Sequence, residues 1–213
     1  SQLVQPVQPL KPSRTDARQD NTLNTFIEAV LSRQGQSEYV DFGLACPRGK
    51  AFYPSDCLSR LTASILRKQS DLVATYALPP GSLTLRQQIA QRLIQLGVSA
   101  NADNLILTHG VLDALNLAIR AVTQPGATVI VETPTYFNLY PLLEMMGVNW
   151  LEITTHPQTG MDLDELEATL QQQAIAAIIT IPTVHNPLGF TMSRENKARL
   201  AKLEIGRASC RER

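Results

Sequence analysis

The sequence predicts an α/β fold with a mainly parallel sheet covered on both faces, and three observations carry that prediction. From residue 104 onward, short apolar runs alternate strictly with segments of helical period. Gly, Pro, Asn and Asp punctuate the joints between them. Each helical segment is long enough to carry the chain back across a sheet, which is the signature of right-handed crossovers between parallel strands.

The elements follow in order. Residues 1–22, opening "SQLVQPVQPLKPSRTDARQDN", hold three prolines among Gln and charged residues and no packable apolar period, so they read as a linker. A short amphipathic segment is expected around Phe26, Ile27, Val30 and Leu31, then an extended Gly/Pro-rich stretch, then a helix starting near Pro54-Ser55-Asp56. Leu85, Ile89, Leu93 and Leu96 recur at helical spacing, with Ser82 as N-cap and Gly97 as terminator. "NLILT" (104–108) leads into "GVLDALNLAIRAV" (110–122), "TVIVE" (128–132) into "YFNLYPLLEMMG" (136–147), and "NWLEI" (149–153) into "DLDELEATLQQQ" (162–173). "AAIITI" (176–181) leads toward "SRENKARLAKL" (193–203). Residues 204–213 break this pattern with an Arg/Ser/Cys-rich run that reads as a non-native, adapter-derived tail.

Bulk properties narrow the function classes. Lys+Arg and Asp+Glu both count 19, so no global positive field draws the chain to nucleic acid or to an anionic membrane. The three cysteines, Cys46, Cys57 and Cys210, lack the paired spacing of zinc or redox motifs, which points to a reducing compartment and a cytoplasmic location. No apolar run has the length of a membrane span, and no metal-ligand cluster is apparent.

Four features point toward one site. Gly110 stands where a buried strand meets an apolar helix, and the first-turn amides of Val111 and Leu112 suit an anion such as a phosphate; the same glycine also serves a simple tight turn. "VETPTYF" ends the next strand with Glu132, Pro134 and Tyr136, and Tyr136 can lie against a planar ligand or act only in packing. "HNPLG" places Asn186 at the end of another strand, where its amide could meet a ligand or cap its own turn. Pro187 biases Asn186 toward an extended conformation and leaves Gly189 free to take positive φ. Tyr76 lies on a Pro/Gly loop six residues before Ser82, as a ligand-reaching or merely exposed tyrosine.

In this order, the pattern from about Asp41 to Leu203 resembles the large domain of the fold-type I pyridoxal-phosphate enzymes, the aspartate-aminotransferase superfamily, here an incomplete three-layer domain spanning 23–203. The segments "LNLAIRAVTQPGATVIVETPTYFNLYPLLEMMGVNWLEITTHPQTGMDLDELE" and "NPLGFTMSRENKARL" resemble, more narrowly, the aminotransferase-like effector domain of MocR-type regulators in the GntR family. The resemblance implies pyridoxal 5'-phosphate as cofactor. Its phosphate would lie on the Val111 and Leu112 amides beside Gly110, its ring against Tyr136, and its phenolic oxygen on Asn186. Tyr76 would reach the cofactor of a partner subunit in a homodimer. Further implications are an amino acid or amine as ligand, and contact with DNA only through an N-terminal domain outside this chain. Ala127, His109 and Val111 depart from the residues common at their positions in the family.

The resemblance also implies a lysine that holds the cofactor as a Schiff base. None of Lys11, Lys50, Lys68, Lys197 and Lys202 matches its motif, so no catalytic residue is assigned. This polypeptide is expected neither to transaminate nor to bind the cofactor tightly. The function expected of the parent is a pyridoxal-phosphate-dependent transcriptional regulator. The alternative is an aminotransferase moving amino groups between amino acids and 2-oxo acids.

Overall fold

The computed structural model describes residues 28–30, 32, 33, 36, 38 and 49–208, with side chains to residue 203. Of the expected amphipathic segment, residues 28–30 are helical, whereas Phe26, Ile27 and Leu31 lie outside the described residues, as does the linker through residue 22. The chain divides into two compact units, residues 20–109 and a unit comprising residues 110–213 with residues 1–19.

In the first unit, α1 (Ser55–Lys68) begins beside Pro54 as expected, with Asp56 in its first turn and Arg67 and Lys68 in its last, the charge order that the helix dipole favours. The helix α2 (Leu83–Gln95) starts at Ser82, whose hydroxyl accepts from Leu85 N at 3.5 Å. It stops at Gly97, where Val98 N turns back to Leu93 O at 2.9 Å. On its inner face Arg86 is buried, and its guanidinium donates to Gly81 O at 3.2 Å and Ala102 O at 2.5 Å. The expected strand at 104–108 is not formed. Residues Ala102–Asn104 make a 3-10 turn, and no described strand pairs with the extended residues that follow. Leu107 N donates instead to Pro80 O at 3.0 Å. Apolar alternation made a ladder plausible there, but a strand exists only with a neighbour to bond.

The second unit contains α3 (Val111–Val122), β1 (Thr128–Thr133), α4 (Leu139–Met145), β2 (Asn149–His156), β3 (Gly160–Met161), α5 (Leu163–Gln172), β4 (Ala177–Ile179) and α6 (Arg194–Ala208). The sheet order is β3-β2-β1-β4, with β1 parallel to both β2 and β4. The short β3 returns antiparallel against the end of β2, pairing Thr155 with Met161 and His156 with Gly160. This hairpin was not expected, because two residues give no readable period.

Burial along β1 explains the layering. Val129 and Val131 pack into one cluster with Ile119 of α3 and Leu139 and Leu143 of α4. Ile130, pointing to the other face, packs with Leu163, Leu166 and Leu170 of α5 and Leu200 of α6. Two-residue alternation on a central strand thus feeds two helical layers, which is the expected three-layer α/β arrangement. On the second layer Asp162 caps α5 by accepting from Asp164 N and Glu165 N, both at 3.0 Å. Arg199 of α6 then reaches Asp164 at 2.6 Å and Glu167 at 3.0 Å, tying α6 to α5.

Candidate functional site

The two connections leaving β1 and β4 diverge. The chain leaves β1 through α4 on the face of Val129 and Val131, and leaves β4 toward α6, which packs on the face of Ile130. Adjacent parallel strands whose connections part to opposite faces open a crevice at their C-terminal ends, the usual ligand position in open α/β sheets. The loop that follows β1 carries Tyr136, and the loop that follows β4 carries Asn186.

The helix α3 belongs to the same unit. It packs on β1 through Leu115 and Ile119, and only residues 123–127 separate the two elements, so helix and strand run antiparallel. A helix of that length spans about 18 Å. A strand like β1 spans about 20 Å. Val111 opens α3. Gly110 precedes it at φ +129, a backbone state that side chains rarely adopt. Val111 is 70% exposed and Leu112 is exposed.

What joins the two loops is a buried polar set that the sequence did not reveal. Glu132, fully buried at the end of β1, accepts from the Thr180 hydroxyl and from Ile181 N at 3.1 Å. His185 is buried with it, its Nε2 at 2.7 Å from Glu132 Oε2. Beyond this approach, Nε2 has no hydrogen-bond partner among the described residues. The other ring nitrogen, Nδ1, accepts from Leu188 N at 3.3 Å, which places the ring proton on Nε2, toward the carboxylate. Phe190 stacks on the imidazole at 4.8 Å with 17° between planes. A carboxylate ending the run "TVIVE" on a central strand signals such a set, since a buried charge needs partners. Which partner it takes depends on β4 lying beside β1, and that is invisible in sequence.

The two aromatic and amide positions differ in what they already bind. Tyr136 is half-buried, its hydroxyl accepts from Asn138 Nδ2 at 2.7 Å, and its ring meets Phe137 at 5.3 Å and 58°. Its hydroxyl is thus partnered locally. Asn186 is exposed and does not cap its own turn. That turn is closed by Gly189 N on His185 O at 2.6 Å, with Gly189 at φ +72, and by His185 N on Phe190 O at 2.9 Å. The peptide bonds preceding Pro134 and Pro187 are both cis. Two residues before Asn186, Val184 holds φ +50, an unusual state for a β-branched residue, and its N–H donates to Thr191 Oγ1 at 3.1 Å. Lys197 of α6 reaches the same loop and donates to Thr183 Oγ1 at 2.6 Å.

Gly110, Val111, Leu112, Tyr136 and Asn186 belong to one unit, with Tyr136 and Asn186 in the loops that follow the adjacent strands β1 and β4, whereas Tyr76, 91% exposed, belongs to the other unit. Among the described residues no group of His, Cys, Asp and Glu could hold a metal ion. No described helix is long and apolar enough to cross a membrane.

Comparison with known proteins gives this arrangement its family. The model of "Aminotransferase class I and II" matches residues 49–204. The chain belongs to the aminotransferase class I and II family. It is 35% identical over 198 residues to YdcR of Escherichia coli, an uncharacterized HTH-type transcriptional regulator, covering 93% of this chain and 42% of that relative. The chain therefore spans less than half the length of that relative. An archaeal alanine:glyoxylate aminotransferase superposes with a TM-score of 0.79 at 26% identity, over 89% of this chain and 48% of its own. The α-aminoadipate aminotransferase LysN of Thermus thermophilus, solved with N-(5'-phosphopyridoxyl)-L-leucine, shares the fold at a TM-score of 0.74 and 24% identity, over 85% of this chain and 44% of its own. The aminotransferase-like domain is thus similar both to MocR-type regulators and to aminotransferases.

Proposed function

We propose that the rim at the ends of β1 and β4 is the pyridoxal 5'-phosphate site of an aminotransferase-like domain, and that the parent protein is a MocR-type regulator of the GntR family. The observation that carries this reading is the state of Asn186. Its carboxamide is exposed and makes no bond to its own turn, while the buried Glu132 and His185 anchor its loop to the strand end that carries Tyr136. An exposed amide with no partner among the described residues, at a switch-point crevice, is suited to a ligand's polar edge.

The residues fit the cofactor in three ways. The Val111 and Leu112 amides would receive the phosphate, since a helix N-terminus offers unpaired donors and a positive dipole end. The Tyr136 ring, with its hydroxyl already held by Asn138, would lie against the pyridine, and Asn186 would donate to the phenolic oxygen. Bound there, pyridoxal phosphate supplies an electrophilic aldehyde to an amino acid or amine ligand. In the homodimeric parent Tyr76 would reach the partner's phosphate. No lysine of this sequence matches the Schiff-base motif, so this chain is proposed to bind weakly and not to transaminate.

The regulator reading is favoured by YdcR, whose match extends over 93% of this chain, beyond residues 49–204. In that reading ligand binding shifts the domain between conformations sensed by a DNA-binding domain, and the chain acts in the cytoplasm. The alternative, an aminotransferase transferring amino groups between amino acids and 2-oxo acids, rests on the likeness to the archaeal alanine:glyoxylate aminotransferase. Titrating the chain with pyridoxamine 5'-phosphate and with pyridoxamine tests the site. Saturable binding that needs the phosphate and weakens in Asn186→Ala and Tyr136→Ala supports it; equal binding of both compounds refutes it.

A further inference from the structure

We propose that His185 is a positioning residue for Asn186, acting from beneath the rim through the clasp it forms with Glu132, Thr180 and Phe190. The inference rests on the pyridoxal-phosphate reading of the rim and concerns a residue that does not itself face the ligand. His185 sits at the base of the turn that Asn186 opens, and it touches that turn at three points. Its N–H donates to Phe190 O at 2.9 Å, its carbonyl accepts from Gly189 N at 2.6 Å, and its Nδ1 accepts from Leu188 N at 3.3 Å. The opposite edge of the ring faces Glu132 Oε2 at 2.7 Å, and the stacked Phe190 covers one face.

Asn186 itself contributes nothing to this scaffold, because its side chain bonds none of the described residues. The turn backbone that carries it is held by the residue before it. Glu132 in turn is fixed by Ile181 N and Thr180, so the buried side of the turn is tied to the end of β1. Holding a donor within a fraction of an ångström of its acceptor requires such a supporting layer, since a loosened donor loses most of its directional bond. Val184 at φ +50, immediately before His185, is consistent with a loop over-determined by these contacts.

The test is a double-mutant cycle on pyridoxamine 5'-phosphate affinity in the full chain, with His185→Gln, Asn186→Ala, the double variant and Thr180→Val. Losing a charge-assisted bond in Asn186→Ala should weaken binding about tenfold. His185→Gln should weaken it comparably, and the double variant should bind no more weakly than Asn186→Ala alone. Multiplying losses, or unchanged affinity in a His185→Gln protein whose urea midpoint has dropped, would overturn the inference and leave the site reading standing. Absence of saturable binding in the unsubstituted chain would overturn both. Should His185→Gln fail to fold, Thr180→Val, which loosens Glu132 without touching the imidazole, should still weaken binding non-additively with Asn186→Ala; an unchanged affinity there overturns the inference as well.

Discussion

Glu132 Oε2 and His185 Nε2 stand 2.7 Å apart with both side chains withdrawn from solvent, joining the end of β1 to the loop that follows β4. Replacing Glu132 by Leu removes the acceptor for the Thr180 hydroxyl and Ile181 N, and the carboxylate that faces the imidazole. Leaving a buried neutral donor without its acceptor costs about 1–3 kcal/mol. Urea unfolding of Glu132→Leu should show that loss. Glu132→Gln, which keeps the shape and one carbonyl acceptor, should lose less.

Gly160 lies against the same clasp from the β2-β3 hairpin. Its φ is +91, and a Cβ there would come within 2.8 Å of Met192 Cε and 3.0 Å of Phe190 Cε2. Gly160→Ala should therefore both strain the hairpin and push the Phe190 ring off His185. A stability loss above about 1 kcal/mol is expected, because alanine at positive φ is disfavoured even without the contact. Ring-current shifts on His185 protons provide the check.

Tyr140 gives a pH dependence with a definite sign. Burial, and then its hydrogen bond to Glu152 at 2.8 Å, raise its pKa above the ordinary tyrosine value. The unfolded chain thus loses this proton first, near pH 10. Above that value the unfolded state is increasingly favoured, so Tyr140's contribution is intact below about pH 9 and declines as pH rises through its folded pKa. Tyr140→Phe should flatten this part of the stability profile at a cost of about 1 kcal/mol at neutral pH.

Asp162 supplies two capping bonds at 3.0 Å to the start of α5, ahead of the buried Leu163 and Leu166. Asp162→Ala should cost about 1 kcal/mol. Faster amide exchange at Asp164 and Glu165 would localise the loss to the cap.

Much of the fold was legible because its signals are local. The period of "TVIVE" and of the helices around it required a doubly covered sheet, and β1 with its two apolar layers follows. Ser82 and Gly97 mark boundaries through capping chemistry that acts within a few residues. Where the reading failed, the deciding partner was distant. Residues 104–108 carry a strand-like pattern but find no described ladder partner. Glu132 and His185 were visible as motif members, yet their pairing across 53 positions needs β4 beside β1. Asn186 was legible as a turn residue with two candidate roles, and only the turn's own closure by Gly189 and Leu188 separates them.

The central claim is that one rim grips a phosphorylated pyridine, and residue-resolved NMR of the full chain titrated with pyridoxamine 5'-phosphate tests it most directly. The account predicts saturable shifts confined to the backbone amides of Val111 and Leu112, the neighbourhood of Tyr136, and the side-chain amide of Asn186. Shifts absent at saturating ligand, or centred on surfaces away from the start of α3 and the ends of β1 and β4, would contradict it.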